Sequence, residues 1–430
     1  MLSAEELKAA FPLFTAFVFV FGACVGSFLN VVVCRLPHGE SLLSPPSHCP
    51  ECNARIRAAD NIPVISWLLL RGRCRYCGKK ISIRYPLVEF GVGLLFLAVW
   101  FRVNSLGVSY TALPGWFFLA GSLVAVAITD VEHWLIPNKI TYAGMTAAIL
   151  LAAMLPAGRI LWGVSEGGGI VAVTAQNGLT AALLPQLAAY PRLIAVVDAV
   201  LSLSIAWFIL AIVRQIGRLL WGRRTFCADA DSTFPVDLHD GTLTVDGKDW
   251  VVPGMLLSRP SRRIKARATD VSIRLSSGEL VRPVMEKEDA EHGNLQIGTS
   301  FIRAGDKRFD LKSVNAMHAG VKRLQIPREV LGSGDMKLFA MIAAFTGMMA
   351  AFFTLMLSSV IGFVAGLMFQ LLKNKRNDWA IPYGPYLAVG CILWLFSGPD
   401  IWFFLEKIVF SLTELLAFTE RTSKILSVWY

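Results

Sequence analysis

The sequence predicts a polytopic membrane protein, all-α in its membrane part with about eight transmembrane helices, that also carries a cysteine-bearing cytoplasmic loop and an inserted small β-rich soluble domain. Three observations carry that reading. Of 430 residues 55% are hydrophobic, and the mean hydropathy of +0.55 is too high for a soluble chain of this size. Several apolar runs reach the roughly 20 residues that a bilayer crossing needs. Four of the eight cysteines fall in two tight C-x-x-C pairs within one basic loop, and the other four are scattered, which is not a disulfide framework. The net charge of +10 is read as topology, because Lys and Arg gather on the cytoplasmic side of membrane proteins. No nucleic-acid partner is expected, since basic and aromatic residues do not interleave in a stacking pattern.

Residues 1–34 hold the first span, roughly Phe11 to Val33. It lacks a basic stretch before it and an A-x-A site after it, so it is expected to be retained and not cleaved as a signal. Gly22 and Gly26 make a small-x-x-x-small pair suited to close helix packing. Residues 35–85 form a loop dense in Arg and Lys, from Arg35 to Arg84, which places it in the cytoplasm and the N-terminus outside. Within it Cys49-x-x-Cys52 and Cys74-x-x-Cys77 are each followed by a turn-prone residue, Asn53 and Gly78. Two such pairs, about 21 residues apart, match the spacing by which four thiolates close a tetrahedral zinc site. With all four positions filled by protein the metal would be structural. The competing reading, a pair of disulfides, conflicts with a cytoplasmic location.

Residues 86–213 are expected to hold spans two to five: Pro86 to Phe101, Leu113 to Thr129, Ile140 to Leu155 and Leu193 to Val213. The third ends at Asp130, shortly before Pro137, which would stop or restart a helix. Glu132 and His133 are expected at a solvated interface. The segment Ala157 to Arg192 is rich in Gly and Ala and offers no functional motif, while Asp198 in the fifth span lies by depth towards the outer side. Composition turns soluble over residues 214–328, where alternation around Asp246-Gly247 and at Val271, Ile273 and Leu275 predicts a β-rich cytoplasmic domain. Residues 329–430 open with Gly332-Ser333-Gly334-Asp335-Met336-Lys337 and continue with spans at Leu338 to Leu357, Ser358 to Leu372 and Tyr383 to Phe396, then an apolar tail broken by Glu406, Lys407 and Glu414.

An Asp inside a span costs about 2.5–3.5 kcal/mol at a helix centre, so one at a span's edge is a functional candidate. A lone Asp335 could equally cap a helix N-terminus, where the dipole favours negative charge. Counting spans from the basic loop, however, brings Asp130 and Asp335 to the same cytoplasmic face. Two carboxylates sharing a site cannot both ionise easily, so one keeps a proton while the other accepts one from water. General acid-base hydrolysis of a peptide needs that arrangement. Gly332 and Gly334 would let backbone or substrate approach Asp335 closely, with Lys337 completing the motif. The rival from another class, a proton-relaying transporter or assembly scaffold, should show inverted repeats and midplane polar residues, and neither is visible.

Gly26-Ser27-Phe28-Leu29-Asn30-Val31-Val32, the four cysteines, Asn61 to Trp67, Arg71 to Cys74, Arg84 to Glu89, Asp130 with Ile136-Pro137-Asn138, Gly332 to Lys337 and Ile381 to Pro385 together resemble the bacterial type IV prepilin peptidases, aspartic proteases of the G-x-G-D class. The resemblance covers both membrane parts. It implies a location in the bacterial inner membrane and removal of a short basic leader from prepilin or pseudopilin precursors at the cytoplasmic face. It also implies methylation of the new N-terminus with S-adenosylmethionine as donor, catalytic roles for Asp130 and Asp335, and zinc on the four cysteines. Glu89 becomes a contact for the donor or the new amine, or else a helix-end Glu paired with Arg84 or Lys80. A peptidase without methyl transfer is the alternative, since no G-x-G-x-x-G fingerprint places the donor. Two departures stand out: about a hundred residues separate the fifth and sixth spans, where the family has a short loop, and Pro327 to Leu331 is only a near match.

Overall fold

The computed structural model describes residues 4–164, 170–221, 223–228, 233–239, 242–245, 248–250, 264–283, 295–298, 301–327, 331–373, 382–398, 401 and 407. The chain divides into two units, Met1–Ile209 with Ser333–Tyr430, and Leu210–Gly332. The helices are α1 (Ala4–Arg35), α2 (Ile65–Leu69), α3 (Arg84–Leu106), α4 (Leu113–His133), α5 (Asn138–Met154), α6 (Leu179–Leu183), α7 (Pro191–Trp221), α8 (Ser333–Lys373) and α9 (Gly384–Gly398). Among the described residues five stretches are long and apolar enough to cross a membrane: Phe11–Arg35, Arg84–Leu106, Tyr110–His133, Pro191–Leu220 and Ser333–Met368.

The expectation of about eight spans therefore meets five long helices. The fourth expected span is α5, only 17 residues long, and the eighth is the shorter apolar helix α9. The sixth and seventh run together, with no break at Leu357 and Ser358. The interruption comes instead at Gly347, with φ 81° and ψ 170°, a backbone region open in practice to glycine alone. Hydropathy reports only that a run is apolar, so it cannot locate a break that backbone geometry makes inside one. Glu406 and Glu414 of the expected tail lie outside the described residues.

Helix packing in the first unit follows its small residues. A Cβ on Gly26 would sit 2.7 Å from Glu89 Cα, and one on Gly22 would sit 2.9 Å from Phe96 Cβ, so α1 and α3 touch backbone to backbone. The break in α8 divides its packing in two. Before it, Met341 lies over Gly144 of α5; after it, the Thr354 carbonyl and Ser358 lie against Gly390 of α9, and Phe353 stacks on Trp394 at 4.7 Å. The Gly/Ala-rich segment that carried no motif contains an antiparallel hairpin, β1 (Ile160–Val164) with β2 (Ile170–Thr174), so the membrane unit is not wholly helical. Leu161 of that hairpin is buried and reaches the break at Gly347.

The second unit is the expected β domain. Its strands are β3 (Arg223–Cys227), β4 (Phe234–His239), β5 (Thr242–Val245), β6 (Lys248–Trp250), β7 (Ile264–Leu275), β8 (Leu280–Val281), β9 (Leu295–Ile297), β10 (Phe301–Ala304), β11 (Lys307–Asp310) and β12 (Val314–Pro327). They pair in the order β11-β10-β9-β7-β12-β4-β5-β6, with β3 also on β12 and β8 on β7. The strands flanking Asp246-Gly247 pair as read from the sequence, Val245 opposite Lys248, and Val271 and Ile273 are buried in the core with Leu243, Ile264, Ile302 and Met317. Its first and last strands are partners, Arg223 opposite Pro327. Entry and exit of the insert thus stand about one strand spacing apart, roughly 5 Å. Replacing residues 223–327 with a short flexible linker is expected to leave the membrane unit folded, since closing a short connection costs little; thermal unfolding in detergent should show a midpoint within a few degrees of the full chain.

Candidate active site

Asp130 occupies the last turn of α4. The helix stops there because Trp134 takes the left-handed conformation, φ 54°, and returns its N–H to the Asp130 carbonyl at 3.0 Å. Pro137, with its fixed φ, then caps α5. The Asp130 side chain is buried, 6% exposed, and its Oδ2 accepts the backbone N–H of Gly384 at 3.0 Å. Gly384 is the first residue of α9, where N–H groups have no intrahelical acceptor and the helix dipole favours an anion. A Cβ at Gly384 would stand 2.7 Å from that oxygen, so only glycine permits the approach.

Asp335 lies in the first turn of α8, half-buried. Its neighbour Gly334 packs on Ile136, with a notional Cβ 2.8 Å from Ile136 Cβ, and Ile136 Cδ1 would stand 3.2 Å from a Cβ on Gly384. One buried side chain, Ile136, therefore separates the residue beside Asp335 from the residue bonded to Asp130. Lys337 fixes the same turn to α5: its Nζ donates to Asn138 Oδ1 at 2.7 Å and lies 5.0 Å from the centroid of the Tyr142 ring. Gly332 lies in the second unit, at its end. Glu132 pairs with Arg84 at 3.1 Å, and His133 meets the ring of His38.

The four cysteines converge. Each pair sits at the tip of a small knuckle: Cys49 N–H donates to Ala54 O at 3.0 Å and Cys74 N–H to Lys79 O at 2.8 Å, with Asn53 and Gly78 at positive φ turning the chain. The Sγ atoms of Cys49, Cys52, Cys74 and Cys77 all lie within 4.8 Å of one another, and Cys49 to Cys77 is 3.9 Å. A tetrahedral ion with bonds of about 2.3 Å needs sulfurs about 3.8 Å apart, so the donor set fits a thiophilic metal. Backbone N–H groups of Cys77 and Tyr76 aimed at Cys74 bring its thiol down to about 7, while Cys77, hydrogen-bonded within the same cluster of thiols, is raised to about 11. Arg75 grips Asp60 with two hydrogen bonds, of 2.8 and 2.5 Å, and holds that carboxyl below its usual range.

Glu89 ties the cysteine loop to the start of α3. Its Oε2 accepts the N–H of Val64 at 2.7 Å and steadies a β-branched residue at φ 63°, while Arg84 turns to Glu132. Asn30 is 4% exposed, donates to the Tyr85 carbonyl at 3.2 Å, and keeps a buried Oδ1 with no hydrogen-bond partner among the described residues. Gly384 and Ile136 stood in the sequence within matching motifs but with no role assigned. A glycine opening an apolar run after Pro382 was the available signal.

Residues 20–103 match the bacterial peptidase A24 N-terminal domain, and residues 314–367 match the type IV leader peptidase family. A prepilin leader peptidase/N-methyltransferase of Klebsiella pneumoniae is 37% identical over 172 residues, 38% of this chain and 74% of that protein. The chain belongs to the type IV leader peptidase family. Proteins of the same description from Myxococcus xanthus (strain DK1622), 49% identical over 141 residues, and Dichelobacter nodosus, 38% over 180, cover 33% and 35% of this chain. Of those two relatives' own lengths the chain spans 41% and 60%. Gly332 to Lys337 fall inside the leader-peptidase match and the cysteines inside the N-terminal one, whereas Asp130 lies outside both. No solved structure matches. The purified protein is expected to carry one thiophilic metal ion per chain by elemental analysis, and Cys49→Ser or Cys77→Ser should lower the content at least several-fold.

Proposed function

We propose that this chain is a membrane aspartic endopeptidase that removes the leader of prepilins or pseudopilins at the cytoplasmic membrane face and methylates the N-terminus it creates. The observation that supports the reading is the contact of Gly334 and Gly384 with one side chain, Ile136, the first glycine preceding Asp335 and the second bonded to the carboxylate of Asp130. The descriptions of the relatives supply the substrate class.

In the proposed reaction the dyad shares one proton. The ionised carboxylate takes a proton from water as its oxygen bonds to the scissile carbonyl carbon, and the protonated partner gives its proton to the carbonyl oxygen. Collapse of the tetrahedral species breaks the C–N bond as the leaving amine receives a proton. Gly384 N–H holds Asp130 Oδ2, which leaves Oδ1 for water. The absence of a side chain at Gly334 admits Ile136 beside the turn of Asp335. The basic loop, Arg35 to Arg84, supports a cytoplasmic position for these groups.

The cysteine centre would hold zinc in a structural role, with four protein ligands and no position for water. For methyl transfer, the cleft between α1 and the cysteine loop, about 510 Å³, has the size of a small-molecule site. Phe28, Leu43, Pro45 and Pro46 offer apolar surface for a nucleoside and Arg55 a cation for a carboxylate, which supports this cleft as the place where S-adenosylmethionine would be held. Bound there, it would supply an electrophilic methyl group. The chain's part is to hold the new α-amine, whose pKa near 8 leaves a neutral fraction, in line with it.

Asp130→Asn and Asp335→Asn should each lower leader removal at least a thousand-fold in membranes containing a prepilin, with little further loss when combined, because the pair acts as a unit. Near-normal processing by either single variant would sink the dyad. Gly384→Ala, which forces a methyl group against Asp130, should lower kcat ten-fold or more with the protein still inserted. Labelled S-adenosylmethionine should mark the mature N-terminus; complete cleavage without label would leave the chain a peptidase only.

A further inference from the structure

Apart from the proposed dyad the first unit buries another charged cluster, to which the reaction assigns no role. Arg159 and Asp198 are 6% and 5% exposed. Arg159 donates to Asp198 Oδ2 from Nε at 2.9 Å and from Nη2 at 2.7 Å, and Thr180 Oγ1 donates to Asp198 Oδ1. The remaining arm of the guanidinium, Nη1, donates to the backbone carbonyl of Ala344.

That carbonyl belongs to the last turn of α8 before the break. In an unbroken helix it would accept from the N–H four residues on, but at Gly347 the chain leaves helical geometry, so the preceding carbonyls need other donors. Arg159 supplies one, and Leu161, two residues further along, fills the space beside Gly347, where a Cβ would stand 2.7 Å from Leu161 Cδ2. The same short segment therefore satisfies the broken backbone and wedges it. The two halves of α8 have different tasks. The first carries Asp335, and Ala344 lies nine residues, about 13 Å, along it. The second packs on α9, whose first N–H holds Asp130.

We propose that Arg159, oriented by Asp198 and Thr180, is a positioning residue that sets the angle between the two halves of α8 and thereby the separation of the two carboxylates. This rests on the peptidase reading. Stability alone does not account for the cluster, because apolar residues of similar volume often replace a buried ion pair at no cost or with a gain. What apolar residues cannot replace is the donor to Ala344.

The test uses the full chain with a prepilin substrate and compares kcat, KM, thermal unfolding and hydrogen exchange of the amides around Gly347. In Arg159→Met/Asp198→Leu the pair is removed together, so no buried charge is left unpaired and the unfolding midpoint should fall only by the few degrees that the lost donor to Ala344 accounts for. The kcat should fall ten-fold or more with KM within about two-fold, and amides 344–350 should exchange at least ten-fold faster. Arg159→Lys, which keeps a donor and the pair, should recover most of the kcat. Gly347→Ala, which alters the break and leaves the ion pair intact, should lose kcat in the same way and serves if the double variant does not fold. Wild-type kcat and exchange in the double variant, or wild-type kcat in Gly347→Ala, would overturn the proposal. Failure of the unaltered chain to cleave would instead overturn the peptidase reading, and the exchange result would then decide the clamp by itself.

Discussion

The hydrogen bond from Gly384 N–H to Asp130 is the contact on which the arrangement of the membrane unit depends. A carboxylate within a helical bundle is far from bulk water, and its charged form is tolerable only where donors are already aimed at it. A helix start offers such donors without introducing a counter-charge that would neutralise the acid. The consequence is positional. The start of α9 must meet the end of α4, and that meeting needs a residue with no side chain.

From that contact the packing propagates. The second half of α8 lies against α9 where Gly390 admits the Thr354 carbonyl, and the first half lies against α5 where Gly144 admits Met341. Lipid tails are as apolar as leucine, so helices in a bilayer associate through close contact and internal hydrogen bonds more than through hydrophobic exclusion. The break at Gly347 separates the half of α8 that meets α5 from the half that meets α9. The cost of the break, unsatisfied backbone at membrane depth, is met by Arg159.

The β domain stands apart from this logic. Its core is closed by its own strands, and its two ends leave side by side from paired strands. An insertion built so can sit between two spans without imposing a separation on them, which explains how about a hundred extra residues coexist with the motifs on either side.

Composition and spacing determined a good deal alone. Run length identified the long helices, because crossing a bilayer demands an apolar length that little else in a chain requires. The C-x-x-C spacing foretold the convergence of Cys49, Cys52, Cys74 and Cys77, since knuckle geometry is local and each turn carries its own Asn or Gly. Alternation at Val271 and Ile273 foretold buried strand positions for the same reason. What the sequence left open was the contacts by which distant segments hold one another. The break at Gly347, the pairing of Asp198 with Arg159, the use of Glu89 to hold Val64 and the capping of Asp130 by Gly384 each join residues from 25 to 254 positions apart or reconcile two such contacts. A glycine inside an apolar run reads alike whether it lines a smooth helix or turns the chain. Only the neighbours brought by tertiary packing, Leu161 at one glycine and Asp130 at another, decide which it does.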